Sequence, residues 1–167
     1  MDESGVKLGI NRKYAYSEIG TRAYSSNKET SEHYTLVGAL TMNGFIAPMT
    51  LNGYVDTDAF LVYLEHFLIP NLKVGQTVIM DNLSVHKIPA VESLIKAANC
   101  FFLPLPPYSP DLSPIELAWS KIKSILRSFS PSSRDSLEFH FSNAISSISL
   151  DDCFSFFSHC DLCLLFE

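Results

Sequence analysis

From Tyr34 the chain reads YTLVGALTM, a nearly unbroken run of apolar and β-branched residues. Asn43–Gly44 follows, and then FIAPMTLNGYV. An Asn-Gly pair between two such runs is the strongest short-range hairpin signal, so residues 34–55 are predicted to form an antiparallel hairpin. The period then changes. Asp56 and Thr57 are suited to capping a helix start, and Phe60, Leu61, Leu64, Phe67 and Leu68 fall on one helical face before Pro70 ends it. QTVIMDN at 76–82 predicts a short buried strand, and 89–98 a helix with Pro89 in its first turn. CFFLPLP predicts another apolar strand closed by prolines. Residues 114–128 predict a helix with Ile115, Ala118, Trp119, Ile122 and Ile125 inward, and two weaker helical patterns follow from about 133.

An antiparallel start followed by alternating strands and helices predicts a mixed sheet with helices packed on its faces. Both short strands are apolar throughout, as strands buried on two faces are. Phe101, Phe102 and Trp119 are accordingly expected in the core. The polar stretch YSSNKETSEH at 24–33 reads as a loop.

A chain of 167 residues is long enough for one domain with a real core. Its 47% hydrophobic and 18% charged content is globular. No apolar run has the length needed to cross a bilayer. MDESGVKLG does not resemble a secretory signal, so a cytoplasmic location without membrane association is expected. The net charge of −6 argues against DNA binding through a general basic surface but does not exclude a nuclease, because carboxylates that hold metal ions add negative charge. Lys121, Lys123 and Arg127 form a local basic face, and Arg12, Lys13 and Arg22 a weaker cluster. His159, Cys160 and Cys163 include a C-x-x-C spacing, but no second half-motif completes a zinc site. The four cysteines are expected to be free thiols.

Three acids stand out by position. Asp81 directly follows a buried strand, where α/β sheets place their ligands, although Asp-Asn is also a common turn. Ser113-Pro-Ile-Glu116 matches a capping box, which would spend the Glu116 carboxylate on the helix start; alternatively, that carboxylate faces Asp81. Asp2 lies at a terminus, where fraying is the ordinary expectation. Three carboxylates converging from separate elements would suit two-metal phosphoryl transfer, since Mg²⁺ takes hard oxygen ligands.

MDESGV at 1–6, VIMDNLSVHK at 78–87 and LPPYSPDLSPIELAWSKIK at 105–123 resemble transposases of the mariner superfamily, in particular the bacterial insertion-sequence branch called the six-thirty family. FFSHCD at 156–161 is similar to how such proteins end. The resemblance implies a ribonuclease-H-like mixed sheet flanked by helices and an Asp-Asp-Glu triad. Carried over by position, that triad is Asp2, Asp81 and Glu116, acting both as catalytic residues and as ligands for two Mg²⁺ or Mn²⁺ ions. It also implies cleavage at transposon ends, strand transfer into target DNA and a homodimeric active complex. His86 and Lys87 are expected near the scissile phosphate, with Lys121 and Lys123 also on DNA. Residues 1–130 are expected to be the catalytic domain, with 131–167 a helical tail of the same domain.

Two departures from the family pattern are visible. The N-terminal helix-turn-helix is expected to be missing, and the strand that delivers the first Asp is expected to be truncated to Met1, leaving Asp2 poorly placed. The chain is therefore read as a fragment that is inactive alone, with an inactive transposase remnant as the alternative. DLCLLFE, in place of the usual HCGY close, is read as frameshifted sequence. A third reading takes PLPPYSP as an extended proline motif for a partner groove.

Overall fold

A computed structural model describes residues 1–10, 16–24 and 31–162. Strand β1 (Asp2–Lys7) pairs antiparallel with β2 (His33–Thr41), which pairs antiparallel with β3 (Gly44–Asn52). β4 (Thr77–Met80) and β5 (Phe101–Pro104) form a parallel pair. The Met1 nitrogen donates to the Ile79 carbonyl at 2.7 Å and so sets the start of β1 beside β4. The expected truncation of the first strand is thus corrected in one respect. β1 runs six residues onward from Asp2, pairs with β2 along its whole length, and holds the Asp2 backbone against Gly38.

The hairpin forms as predicted, one residue out of register with the Asn-Gly signal. Thr41 pairs with Gly44, which leaves Met42 and Asn43 at the tip and makes Gly44, at φ 129°, the first residue of β3. The Thr41 hydroxyl decides this: it accepts from the Asn43 N–H at 3.1 Å and donates to the Gly44 carbonyl at 2.9 Å. Further along, Ala47 and Pro48 lie opposite Gly38 alone. This bulge carries Ala47 at φ 52° and places a residue without an N–H where the ladder is already interrupted.

Helices cover both faces. α1 (Thr57–Tyr63) is capped by the Asp56 carboxylate, which accepts from Ala59 N at 2.9 Å. It continues through a wider π turn, Leu64–Leu68, into a 3₁₀ turn at Ile69–Asn71. Pro70, which has no N–H to donate, explains the loss of regular α geometry there. α1, its π turn and α2 (Pro89–Ala97) bury Phe60, Tyr63, Leu64, Val91 and Ile95 with Val37 and Met80. On the opposite face α3 (Pro114–Phe129), α4 (Arg134–Ser146) and α5 (Leu150–His159) bury Trp119, Ile122, Leu126, Leu137, Phe141 and Cys153 with Val6, Tyr34 and Leu36. None of the described helices is long and apolar enough to cross a membrane.

β5 overturns one expectation. Phe101 and Leu103 are 64% and 50% exposed, so this strand is not buried on two faces. It is the outer strand of its pair, and α2 supports it from one side, where Phe102 packs. Trp119, in contrast, is enclosed as expected, at 1% exposure. The proline-rich stretch is tied at both ends: Leu105 N is bonded to the Met80 carbonyl at 2.7 Å, and Pro110–Leu112 turn directly into the start of α3.

Lys121 ties α3 to α5. Its ammonium lies 2.5 Å from Asp152 Oδ2 and donates to the Ser147 carbonyl at 3.0 Å. The hydrogen bond from Lys121, then the Ser149 backbone, lower the Asp152 carboxyl to about 2. Lys121→Met is expected to cost roughly 1–2 kcal/mol, because a charge-assisted bond is lost at a partly exposed site. The Asp152 contribution is present above its ordinary carboxylate range and fades as pH falls from about 4 to about 2. Chemical denaturation of both proteins at pH 7 and pH 2.5 measures this: the difference between them should be smaller at the lower pH.

Candidate active site

Asp2 and Glu3 are neighbours on β1, so their side chains point to opposite faces of the sheet. Asp2 faces α3, where the Trp119 indole Nε1 donates to its Oδ2 at 3.1 Å. Trp119 and Glu116 are three residues apart on that helix and share a face, which brings the Glu116 charge toward Asp2. Burial, then the charges of Glu3 and Glu116, raise the Asp2 carboxyl to about 7.

Glu116 is not spent on capping. Ser113 occupies the cap position of α3 but makes no side-chain cap bond, and its own N–H is taken by the Pro110 carbonyl at 3.0 Å. The loop entering from the 3₁₀ turn thus replaces the capping box that the S-x-x-E match suggested and leaves an exposed carboxylate at the helix head. A real capping box forms elsewhere, between Ser149 and Asp152 of α5.

Asp81 follows β4 immediately, with its side chain 43% exposed. Its Oδ1 lies 2.6 Å from His86 Nδ1 and accepts from Leu83 N at 3.1 Å. His86 sits in a 3₁₀ turn, Ser84–Lys87, and is 1% exposed. Its other nitrogen, Nε2, lies 3.0 Å from Glu3 Oε1. A ring nitrogen facing an ionised carboxylate must carry its proton, so contacts on both sides favour the imidazolium. Burial lowers the His86 pKa, but the hydrogen bond and charge of Glu3, with those of Asp81, outweigh it and the net shift is upward. The ring is enclosed between the two carboxylates. Lys87 next to it is exposed.

The other sequence candidates fall as follows. Lys121 is committed to Asp152, and Lys123 is half-buried on α3. Cys163 of the half zinc motif, with Arg12 and Lys13, lies outside the described residues, while Cys100, Cys153 and Cys160 are buried free thiols. Glu3 and Trp119 are the site residues that sequence reasoning missed. Glu3 was legible only through strand alternation beside Asp2, and the Trp119 nitrogen only once α3 lay against β1.

Among the described residues, no three His, Cys, Asp or Glu side chains are gathered closely enough to hold a metal ion. The donor chemistry nevertheless fits one. Asp2, Asp81 and Glu116 are hard oxygen donors, and the Asp2 carboxyl is raised first by burial and then by the Glu3 and Glu116 charges, the last two of which a cation would offset.

Comparison with solved structures finds the same fold in mariner transposases. A Mos1 transposase paired-end complex with left transposon end superposes with a TM-score of 0.72 at 19% identity over 95% of this chain and 50% of that one. The mariner Mos1 paired-end complex with Mg gives 0.73 at 20% identity, covering 98% and 53%. The catalytic domain of Mos1 mariner transposase gives 0.70 at 15% identity, covering 95% and 74%. The chain therefore has the ribonuclease-H-like fold of that catalytic domain and spans about half the length of the chains in the paired-end complexes. No curated protein sequence matches it. The sequence profile of the DDE superfamily endonucleases matches residues 1–138, and the chain belongs to that family.

Proposed function

We propose that this chain is the catalytic domain of a DNA transposase that uses Mg²⁺ or Mn²⁺ held by Asp2, Asp81 and Glu116. The observation that carries the reading is the crowding at Asp2, whose carboxyl is raised to about 7 by burial and by the neighbouring Glu3 and Glu116 charges. A buried carboxylate with like charges beside it is costly, and a cation bound there would offset that cost. Support also comes from the Mos1 structures, which include paired-end complexes and complexes with Mg and with Mn.

Divalent ions supply activation of the attacking oxygen and neutralisation of phosphate charge. The chain's own residues do the positioning. Trp119 fixes Asp2, His86 fixes Asp81, and the rigid start of α3 presents Glu116. Lys87, exposed six residues after Asp81, supplies positive charge for the DNA backbone, and Lys123 is a second candidate. The substrates are a transposon end and target DNA, and the active complex is a homodimer that pairs two ends. Residues 1–130 carry the chemistry, and the tail from 131 buttresses α3.

The test uses a full-length transposase bearing this chain. Asp81→Asn should reduce cleavage of an end-labelled transposon end by about a thousandfold or more while end binding by gel shift persists. Retained cleavage would remove Asp81 from the triad.

A further inference from the structure

The triad reading assigns Asp81 but not the residues that hold it. Asp81 sits at the end of a four-residue strand with its carboxylate half-exposed, where rotamers would exchange freely without an anchor. Its side-chain contacts, one from His86 and one from Leu83 N, both end on Oδ1, so Oδ2 has no hydrogen bond among the described residues. The His86 ring cannot swing aside easily. Phe60 lies 4.6 Å from it at 37°, and Nδ1 also lies 3.3 Å from the Asp81 carbonyl.

Behind the ring stands Glu3. Its side chain is 10% exposed, with Oε1 on His86 and Oε2 buried without a hydrogen-bond partner among the described residues. A half-satisfied buried carboxylate is costly, and a strand position facing an apolar layer is ordinarily filled by an apolar residue. Glu3 in that place is explained by what its one bond does. It crosses from β1 to the turn after β4 and fixes the ring that fixes Asp81, as outer carboxylates orient histidines around metal sites.

We propose that Glu3 is a positioning residue of the cleavage site: it clamps the His86 ring, and the ring holds Asp81 by Oδ1 with Oδ2 left available to a divalent ion. This inference rests on the reading of Asp81 as a metal ligand.

Three variants of the full-length protein decide it: Glu3→Ala, Glu3→Gln and Asp81→Asn. Mn²⁺ affinity is read by electron paramagnetic resonance of the free ion, and cleavage by steady-state kinetics. Glu3→Ala should weaken Mn²⁺ binding by about 10–100-fold and lower kcat similarly, with KM for DNA unchanged. Glu3→Gln retains an oxygen that can accept the Nε2 proton and should recover to within several-fold of wild type. Wild-type Mn²⁺ affinity in Glu3→Ala overturns the inference. So does an equal loss in both Glu3 variants that tracks their thermal stability, which is the pattern of core damage. If Glu3→Ala does not fold, Glu3→Gln decides: near-wild-type binding and rate support the clamp, and a large loss in either overturns it. Asp81→Asn separates the two levels. Should it bind Mn²⁺ as wild type does, the metal-ligand reading itself falls; should it lose binding while Glu3→Ala does not, only the role of Glu3 falls.

Discussion

Asp2→Asn is expected to make the metal-free protein more stable at neutral pH while abolishing strand cleavage. The amide keeps an oxygen to accept the Trp119 N–H and removes the charge that burial, Glu3 and Glu116 all oppose. The folded carboxyl titrates near 7 and the unfolded one near 3.8, so between these values the folded state binds more protons. The Asp2 contribution to stability of the metal-free wild type therefore falls as pH rises from about 4 to about 7 and remains low above that. His86 contributes in the same direction, because its raised pKa gives stability that is lost as pH rises, but it does so in both proteins. The difference between wild type and Asp2→Asn thus reports Asp2 together with its attraction to the neighbouring Met1 ammonium. We expect the variant to gain about 1–3 kcal/mol at pH 7.5, a full-shift value discounted for coupling among the acids. For a chain of this length that corresponds to a Tm rise of about 3–10 °C. At pH 4 the two should melt together. Mn²⁺ should raise the wild-type Tm at pH 7.5 and leave the variant's nearly unchanged, because ion binding stabilises only the state that binds it. A variant that melts below wild type at pH 7.5, or a gain independent of pH, would contradict this account of Asp2. Such a trade, in which removing a catalytic charge stabilises the fold, is expected where like charges are held together for chemistry.

The architecture was legible because it follows from local pattern. The change from alternating and apolar runs to helical spacing at Asp56, and the Pro-bounded segments after Gly75, placed the hairpin, three helices and two strands. Details that depend on tertiary arrangement were not. Ser113-Pro-Ile-Glu116 and Ser149-Leu-Asp-Asp152 both resemble capping boxes, yet only the second forms. The difference is the direction from which the chain arrives, since the Pro110 carbonyl already occupies the Ser113 N–H. Lys121 reads as a solvated helix charge until α5 brings Asp152 against it. Phe101 reads as core, and its exposure is decided by β5 being the outer strand of its pair. Glu3 carries no local signal beyond strand alternation beside Asp2, because its partner is 83 residues away in sequence. The acids themselves were marked by position and resemblance, whereas the groups that orient them emerged only from the packing of α3 and of the turn after β4.

Trp119 should be the most costly single side chain to remove among those touching the site. Its ring packs edge-on against Phe45 at 5.2 Å and nearly parallel to Phe141 at 6.2 Å, joining the sheet, α3 and α4. Phe45 reaches it across Gly38, where an added Cβ would come within 2.2 Å of the Phe45 ring. Trp119→Ala should cost about 3–5 kcal/mol through lost burial and the cavity it leaves. That is a large share of a typical domain stability, so the variant should melt about 10–15 °C lower. Trp119→Phe separates packing from the hydrogen bond. It keeps most of the aromatic volume but leaves Asp2 Oδ2 without its donor, at a cost of about 1–2 kcal/mol. If the indole nitrogen orients Asp2 for metal, Trp119→Phe should lose about tenfold in cleavage rate, more than its small stability loss would produce. The double variant with Asp2→Asn provides the decisive stability measurement. A bond to a neutral amide is weaker than one to a carboxylate, so Trp119→Phe should cost about 1 kcal/mol less in the Asp2→Asn background than in wild type. Costs that add within a few tenths of a kcal/mol would show that the two side chains are merely neighbours and that Asp2 is held by the strand alone.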